Sequence, residues 1–356
     1  MVETEKTFRV GEGDVVELSE DLPEYGLKRG QRGTIAEVYR EPGEAYDIEF
    51  EDERGTFLGL AYSVEPNQIQ NISRMAFEEG ICLLNEGKLS DAQRAFRKAI
   101  DLRPSYIGVL HNSIVKSFEG SDDWQRRIEA MRIVLRLDPG YGVARDNLAI
   151  AYLNYGVQKV HEGQRDDALT LFLSAIGVAC SEDVADRIKQ NLAAWYTSSG
   201  LEAYEACKAE KLRGNYSDAE RNLMASVNNM ARACAQKQSE QTRHNLGLAY
   251  GFLALFYLDI QRPNESVYWF EMTEDTGLLL QGLLNDYGVA LVAVGRWADA
   301  ILAFERALEL DPESEVVQWN LGSLTSGLAG QALRKEEISD AFYPPPPVEP
   351  QPYLAA

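Results

Sequence analysis

The hydrophobic pattern of the chain changes once. From Asp14 to about Gln70, apolar and polar residues alternate over short runs. Tyr46-Asp-Ile-Glu-Phe50 is the clearest run, and a period of two marks a strand with one wet face. Val15, Val16 and Leu18 open the segment, Thr34–Tyr39 is rich in strand formers, and Thr56–Val64 supplies a further strand. Gly26, Gly30, Gly33, Pro42-Gly43 and Gly55 provide the turns. Four or five short strands in such a segment predict a small barrel that closes its own edges. From Ile72 to about Leu333 the pattern is helical. The chain then runs into Tyr343-Pro-Pro-Pro-Pro-Val, where consecutive prolines exclude helix and sheet interior and favour an exposed polyproline II segment. The expected organisation is a flexible arm at 1–12, a barrel at 13–70, helical repeats at 72–333 and a disordered tail at 334–356. Two independently folding units would meet near Pro66 to Arg74.

In the helical region a single skeleton occurs twice. Gly80, Ala92, Phe96, Ala99 and Pro104 have the same spacing as Gly288, Ala300, Phe304, Ala307 and Pro312. Small residues stand where two helices must touch, an aromatic follows, and proline stops the second helix because it lacks the donor a continuing helix needs. A recurring helical hairpin predicts a stacked solenoid. Both stretches resemble the tetratricopeptide repeat, a helix-turn-helix unit of about 34 residues. Its first-helix phrase recurs as Asp146-Asn-Leu-Ala149, Gln190-Asn-Leu-Ala193, His244-Asn-Leu-Gly247 and Trp319-Asn-Leu-Gly322. Six hairpins and a closing helix are expected, the second degenerate because Arg127 falls where a small residue belongs. The separation from Gly80 to Ala92 is 12, but from Ala149 to Ala168 it is 19 and from Ala193 to Ala219 it is 26. An excess of 7 is close to two helical turns, so the middle hairpins should be lengthened.

The resemblance implies binding without chemistry: a protein or peptide lies in the concave face made by successive first helices. Carried over position by position, the groove-facing candidates are Phe77, Asp146, Asn154, Arg187, Gln190, His244, Asn285 and Trp319. Trp319 is the most telling, because tryptophan and arginine dominate binding hot spots; the alternative is that it packs on the sixth hairpin or under the proline tail. The asparagine before the Leu-Gly pair is common in this family and is expected to serve local hydrogen bonding. The clamp that grips acidic C-termini of heat-shock chaperones needs Lys and Arg beside Asn. Arg74 and Arg187 stand isolated here, so that clamp is not expected.

The strand-rich segment resembles a small bacterial SH3-like barrel domain of uncharacterised function, through Asp14-Val-Val-Glu-Leu, Asp21-Leu-Pro, Gly26-Leu-Lys-Arg-Gly30, Gly33-Thr-Ile and Tyr46-Asp-Ile-Glu-Phe. The expected fold is therefore multidomain: a small all-β SH3-like barrel followed by an all-α solenoid of tetratricopeptide type. The Gly-x-x-Gly-Thr-Ile turn is also similar to motifs of ribosomal and transcriptional barrels. Residues 1–70, however, carry 17 acidic against 7 basic side chains, so RNA binding does not carry over. The whole chain has net charge −21, which argues against nucleic acid and anionic lipid as partners.

Candidate chemistry is sparse. The 3 histidines include no pair at helical ligand spacing, and neither a phosphate-binding loop nor a nucleophile elbow occurs. The acidic run Glu49, Glu51, Asp52, Glu53 lacks the spaced ligands of a calcium loop. The 4 cysteines form no Cys-x-x-Cys pair and read as reduced thiols of a cytoplasmic protein. Met-Val-Glu-Thr-Glu-Lys has no signal-peptide character, and no apolar run is long enough to enter a membrane. Neither enzyme activity nor a cofactor or metal is expected. The expectation is a cytoplasmic scaffold or adaptor, with a regulatory or antitoxin-like component acting through the acidic barrel as the alternative.

Overall fold

The computed structural model describes residues 10–52, 54–278, 280–327, 333–335, 338 and 341–350. Five antiparallel strands come first: β1 (Val15–Leu18), β2 (Arg32–Tyr39), β3 (Ala45–Glu51), β4 (Phe57–Val64) and β5 (Ile69–Asn71), in the order β4-β3-β2-β1-β5. The alternation of β3 turns Tyr46, Ile48 and Phe50 inward onto Val16, Leu18, Ile35, Ala61 and Val64. It breaks at Asp47, which is buried beside an irregularity in the β3–β4 register. There it accepts hydrogen bonds from the Tyr39 hydroxyl (3.0 Å) and the Ser63 N–H (2.8 Å). At Gly33 a β-carbon would lie 2.6 Å from Ile48 Cγ2 and 2.7 Å from the Glu49 carbonyl oxygen, so only glycine lets β2 and β3 approach this closely. The strand order fits a small barrel. Among the described residues no pairing joins the two end strands, β4 and β5.

Thirteen helices follow among the described residues: α1 (Ile72–Asn85), α2 (Leu89–Leu102), α3 (Tyr106–Ser117), α4 (Trp124–Leu137), α5 (Gly142–His161), α6 (Arg165–Val178), α7 (Glu182–Leu212), α8 (Tyr216–Gln236), α9 (Glu240–Asp259), α10 (Pro263–Asp275), α11 (Gln281–Ala293), α12 (Trp297–Leu310) and α13 (Glu315–Thr325). The small-residue skeleton has a direct steric cause. A β-carbon at Gly80, Gly156 or Gly288 would lie 2.5 Å from the ring of Phe96, Phe172 or Phe304. The glycine admits the aromatic of the second helix against the backbone of the first. The alanines Ala92, Ala168 and Ala300 beside it are fully buried.

The third hairpin corrects one spacing. Its crossing glycine is Gly156, 12 residues before Ala168 as in the outer copies, and not the Ala149 of the Asn-Leu phrase. The added turns therefore lie upstream of the crossing. Helices α5 and α9 have 20 residues and α7 has 31, against 14 for α1 and 13 for α11. Among the second helices of the middle hairpins only α8, with 21 residues, is long. In the degenerate second hairpin Arg127 is buried at the small-residue position. Its guanidinium lies 5.2 Å from the Trp124 ring and 5.6 Å from that of Phe118, and it donates to the Phe118 carbonyl. Two aromatic faces and a carbonyl replace the hydration the cation loses.

The chain forms two compact units, one reaching to Ala185 and including the chain from Pro350 onward, the other from Asp186 to Glu349. In the first, the barrel is tied to the helices by a buried carboxylate. Asp14 is 1% exposed, pairs with Arg103, and accepts from Asn71 Nδ2 (2.8 Å), the Tyr106 hydroxyl (3.2 Å) and the Gly11 N–H (3.0 Å). Asn71 also caps α1 by accepting from the Arg74 N–H at 2.8 Å. A buried charge is tolerable only when paired and fully hydrogen-bonded. The join near Pro66 to Arg74 thus belongs to a polar knot shared by β1, α1 and the α2–α3 corner. Among the described residues no helix is long and apolar enough to cross a membrane.

Candidate functional site

The candidates in the first unit are structural in their contacts. Phe77 is fully buried, with its ring 5.5 Å from that of Phe96 and 5.1 Å from that of Tyr106. Asp146 is buried and accepts from the Cys180 N–H (2.6 Å) and the Ser181 N–H (3.0 Å). A carboxylate there satisfies backbone donors at the start of α7 and faces the positive end of its dipole. Asn154 is buried on α5.

The second unit differs. Gln190 is exposed and Arg187 half-buried on α7. His244, Asn285 and Trp319 all meet residues of the C-terminal segment. That segment was expected to be loose. Its described residues carry no helix or strand, as the prolines require, but they run along the first helices of the second unit and are held there. Residues 351–356 lie outside the described residues.

The holding groups are the asparagines themselves. Asn245 on α9 donates from Nδ2 to the Tyr343 carbonyl (3.0 Å), and its Oδ1 accepts the Tyr343 N–H (2.7 Å). Asn320 on α13 does the same with Arg334, at 2.8 Å in both directions. Asn285 on α11 donates to the same Arg334 carbonyl (3.1 Å) and accepts from Asn320 Nδ2 (2.8 Å). On α7, Asn191 is oriented by donating to the Arg187 carbonyl (3.0 Å) and accepts the Glu349 N–H (2.9 Å). Gln241 adds a bond to the Pro344 carbonyl at 2.7 Å. A primary amide presents one acceptor and one donor side by side. Paired with both backbone groups of one residue, it reproduces a rung of an antiparallel ladder without a second strand.

Side chains of the segment occupy distinct surroundings. The Phe342 ring lies 5.0 Å from Tyr204 and 5.5 Å from Phe252, which are themselves stacked at 4.8 Å. Tyr343 meets His244 edge-on at 4.7 Å, and the Arg334 guanidinium sits 4.5 Å over the Trp319 ring. Lys335 bonds Asp259 at 2.6 Å, as does Lys211. Burial pushes the Asp259 carboxyl up, but hydrogen bonds from the two lysines outweigh it and hold the group below the usual carboxylate range. Burial pushes the Tyr204 phenol up to about 12, so the aromatic box stays neutral. A cavity of about 400 Å³ lined by Tyr204, Phe252, Phe256, Asp259, Lys335 and Ile338 lies beside the segment.

Sequence reasoning selected the residue preceding the asparagine in the phrases at Asp146, Gln190, His244 and Trp319, with Phe77, Asn154, Arg187 and Asn285 on the same side, and read the phrase's asparagine as a local bonding group. In the first unit the asparagine bonds inside the unit, but to a partner on another helix 36 residues away. Asn147, in the same phrase on α5, is fully buried with Nδ2 2.9 Å from His111 Nε2, while His111 Nδ1 lies 3.0 Å from Asn112 Oδ1. Burial lowers the His111 pKa, so the neutral ring accepts from Asn147 and donates to Asn112. In the second unit, Asn191, Asn245 and Asn320 were missed as contact groups. Their recurrence was the signal that could have found them.

Residues 282–314, spanning α11 and α12, match the tetratricopeptide repeat. This chain contains a tetratricopeptide repeat. Residues 12–69, which hold β1 to β4, match a domain of unknown function (DUF4926). No curated protein matches the sequence. Solved structures similar to the chain include the P58(IPK) TPR domain, at 14% identity over 71% of this chain with a TM-score of 0.33. This chain spans 64% of that one, less than two thirds of its length. The TPR2AB domain–pHSP90 complex of yeast Sti1 is similar at 13% identity over 73% of this chain and 98% of that chain, with a TM-score of 0.33. PilW, a type IV pilus biogenesis factor, is similar at 15% identity over 70% and 98%, with a TM-score of 0.26. At such scores none of these likenesses bears on function. The fold is a small antiparallel sheet domain followed by helical hairpins like those of tetratricopeptide repeats, and Asn285 belongs to the matched repeat.

Proposed function

We propose that this chain is a protein-interaction scaffold that holds an extended peptide against the first helices of its second unit, gripping it by the backbone. The observation that carries this reading is the pair of two-way amide contacts, Asn245 with Tyr343 and Asn320 with Arg334. Backbone gripping is tolerant of sequence, so selectivity falls to the flanking pockets, as in other modes that bind extended segments. Among the described residues no group of His, Cys, Asp and Glu is gathered as metal ligands. The test is affinity capture with the wild-type chain and with an Asn245→Ala, Asn320→Ala variant of unchanged helix content. A stoichiometric protein partner held by the first and lost by the second is the expected result. Equal capture by both would remove the asparagine row from the reading.

A second reading keeps the barrel as the contact surface of a regulatory component. It draws on the end strand β4, where Phe57, Leu58 and Tyr62 are 62%, 48% and 56% exposed. Exposed aromatics on a sheet edge are what a partner strand or helix would cover.

A further inference from the structure

The occupant of the asparagine row carries its own information. Resting on the function proposed above, we propose that the groove's external ligand is an extended peptide with two adjacent aromatics followed by proline and a basic residue upstream. The segment Arg334–Glu349 is then its tethered, displaceable competitor.

The chemistry of the ligand follows from what each place in the groove accepts. Tyr204 and Phe252 form a stacked pair that takes the ring of Phe342. His244 takes the next ring, Tyr343, edge-on, while Asn245 holds that residue's backbone. At the following position only the carbonyl is used, by Gln241, so a residue without an N–H fits there at no loss. Proline also fixes the chain near polyproline II and lowers the entropy lost on docking. Upstream, the Trp319 face and the Asp259 carboxylate both call for cations, met here by Arg334 and Lys335.

Two observations point to displacement rather than permanent packing. Among the described residues the segment's main-chain bonds go mostly to side-chain amides and not to a backbone ladder, so an incoming peptide can take them over one residue at a time. The segment also leaves the cavity of about 400 Å³ beside Ile338, Lys335 and the aromatic box. A peptide with a larger apolar side chain at the Ile338 position would cover more of Phe252 and Phe256 than this segment does, and would gain by the added burial.

The experiment uses the full-length chain and, as probe, a fluorescein-labelled synthetic peptide of residues 333–350, read by anisotropy. The competing variant is Phe342→Ala, Tyr343→Ala, which changes only the tail. A groove mostly filled in cis has its apparent affinity reduced by the occupied fraction. The variant should therefore bind the probe at least about tenfold more tightly than wild type. Adding Asn245→Ala and Asn320→Ala should abolish that binding. Equal affinity of wild type and tail variant overturns the competitor role. A scrambled peptide that binds the tail variant as well as the probe does overturns the ligand class while leaving backbone gripping intact. No binding of any peptide to a folded tail variant overturns both this proposal and the scaffold reading beneath it. Sedimentation equilibrium excludes exchange between copies: a wild-type dimer that the tail variant loses would mean the segment acts in trans, against a tethered competitor. Should the variant fail to fold, hydrogen exchange on wild type serves instead. Excess unlabelled probe should speed exchange at Arg334 and Tyr343, and unchanged protection would overturn displacement.

Discussion

The two units use the same phrase for opposite ends. In the first, Asn147 turns into the core and bonds His111, whose other nitrogen meets Asn112. In the second, Asn191, Asn245 and Asn320 turn to the C-terminal segment and bond its backbone. The buried charge of the first unit, Asp14, is likewise consumed inside it, by Arg103, Asn71 and Tyr106. An asparagine of a repeat becomes a contact group where its amide keeps a donor or acceptor for the tail, as Asn191 does with its Oδ1 after donating to the Arg187 carbonyl. In the first unit His111 takes the Asn147 amide instead.

The largest expected effect falls on the first unit alone. Asp14→Ala leaves Arg103 and three other donors, Asn71, Tyr106 and the Gly11 N–H, without their acceptor, and breaking a buried pair costs about 3 kcal/mol or more. Thermal unfolding should show the loss, while amide exchange at Arg334 and Tyr343 stays as in wild type. Faster exchange there would mean the units are not separate in this respect.

The comparison itself is tested by one substitution at two places. Asn147→Leu removes the donor to a buried ring nitrogen and should cost about 1–3 kcal/mol of stability with the tail still protected. Asn245→Leu removes two hydrogen bonds to Tyr343, about 2 kcal/mol, and should speed exchange of that amide about 30-fold with little loss of melting temperature. If both variants only destabilise, the two asparagines do the same work and the contrast is gone. A smaller effect is expected at Trp319. Trp319→Ala removes the face under Arg334, about 1 kcal/mol, and should loosen the Arg334 end of the segment more than the Tyr343 end. A melting temperature that falls with unchanged exchange at Arg334 would make Trp319 a packing residue only.

Acid should separate the units by pH window. The folded His111 pKa lies below the ordinary 6.5, because burial disfavours the charged ring. Above 6.5 both states are neutral and the contribution is constant. As pH falls below 6.5 the unfolded chain takes the proton first, so the first unit loses stability until the folded value is passed. The Asp259 carboxyl lies below its ordinary 3.8 under the pull of Lys211 and Lys335. Its contribution is complete above 3.8 and disappears only as pH falls through the lower folded value. Melting followed between neutral pH and pH 5 should weaken the first unit while the Lys335 contact persists. Release of the segment in that range would contradict the assignment.

Much of the architecture is legible in local sequence. Period two placed β3 within one residue at each end, because an alternating strand with one buried face has only one register that hides its apolar set, and runs of strand formers placed β1, β2 and β4 within two residues. The glycine, alanine and phenylalanine spacing located the crossings of the first and last hairpins but not that of the third, because an aromatic ring meets another helix's backbone only where a β-carbon is missing, which in α5 is at Gly156. Extra heptads correctly announced longer helices in the middle hairpins, since seven residues return a helix to the same face. What the sequence could not decide is where a polar side chain points. Asn147, Asn245 and Asn320 stand in the same words, yet the partner of Asn245 lies 98 residues away in sequence, and that of Asn147 lies 36 residues away. An amide is equally content with an imidazole or a peptide backbone, so its identity fixes the kind of bond but not the partner. The tail posed the same difficulty: prolines determined that it would be extended and without a ladder, and only the tertiary arrangement of α7, α9, α11 and α13 supplied the side chains that hold it.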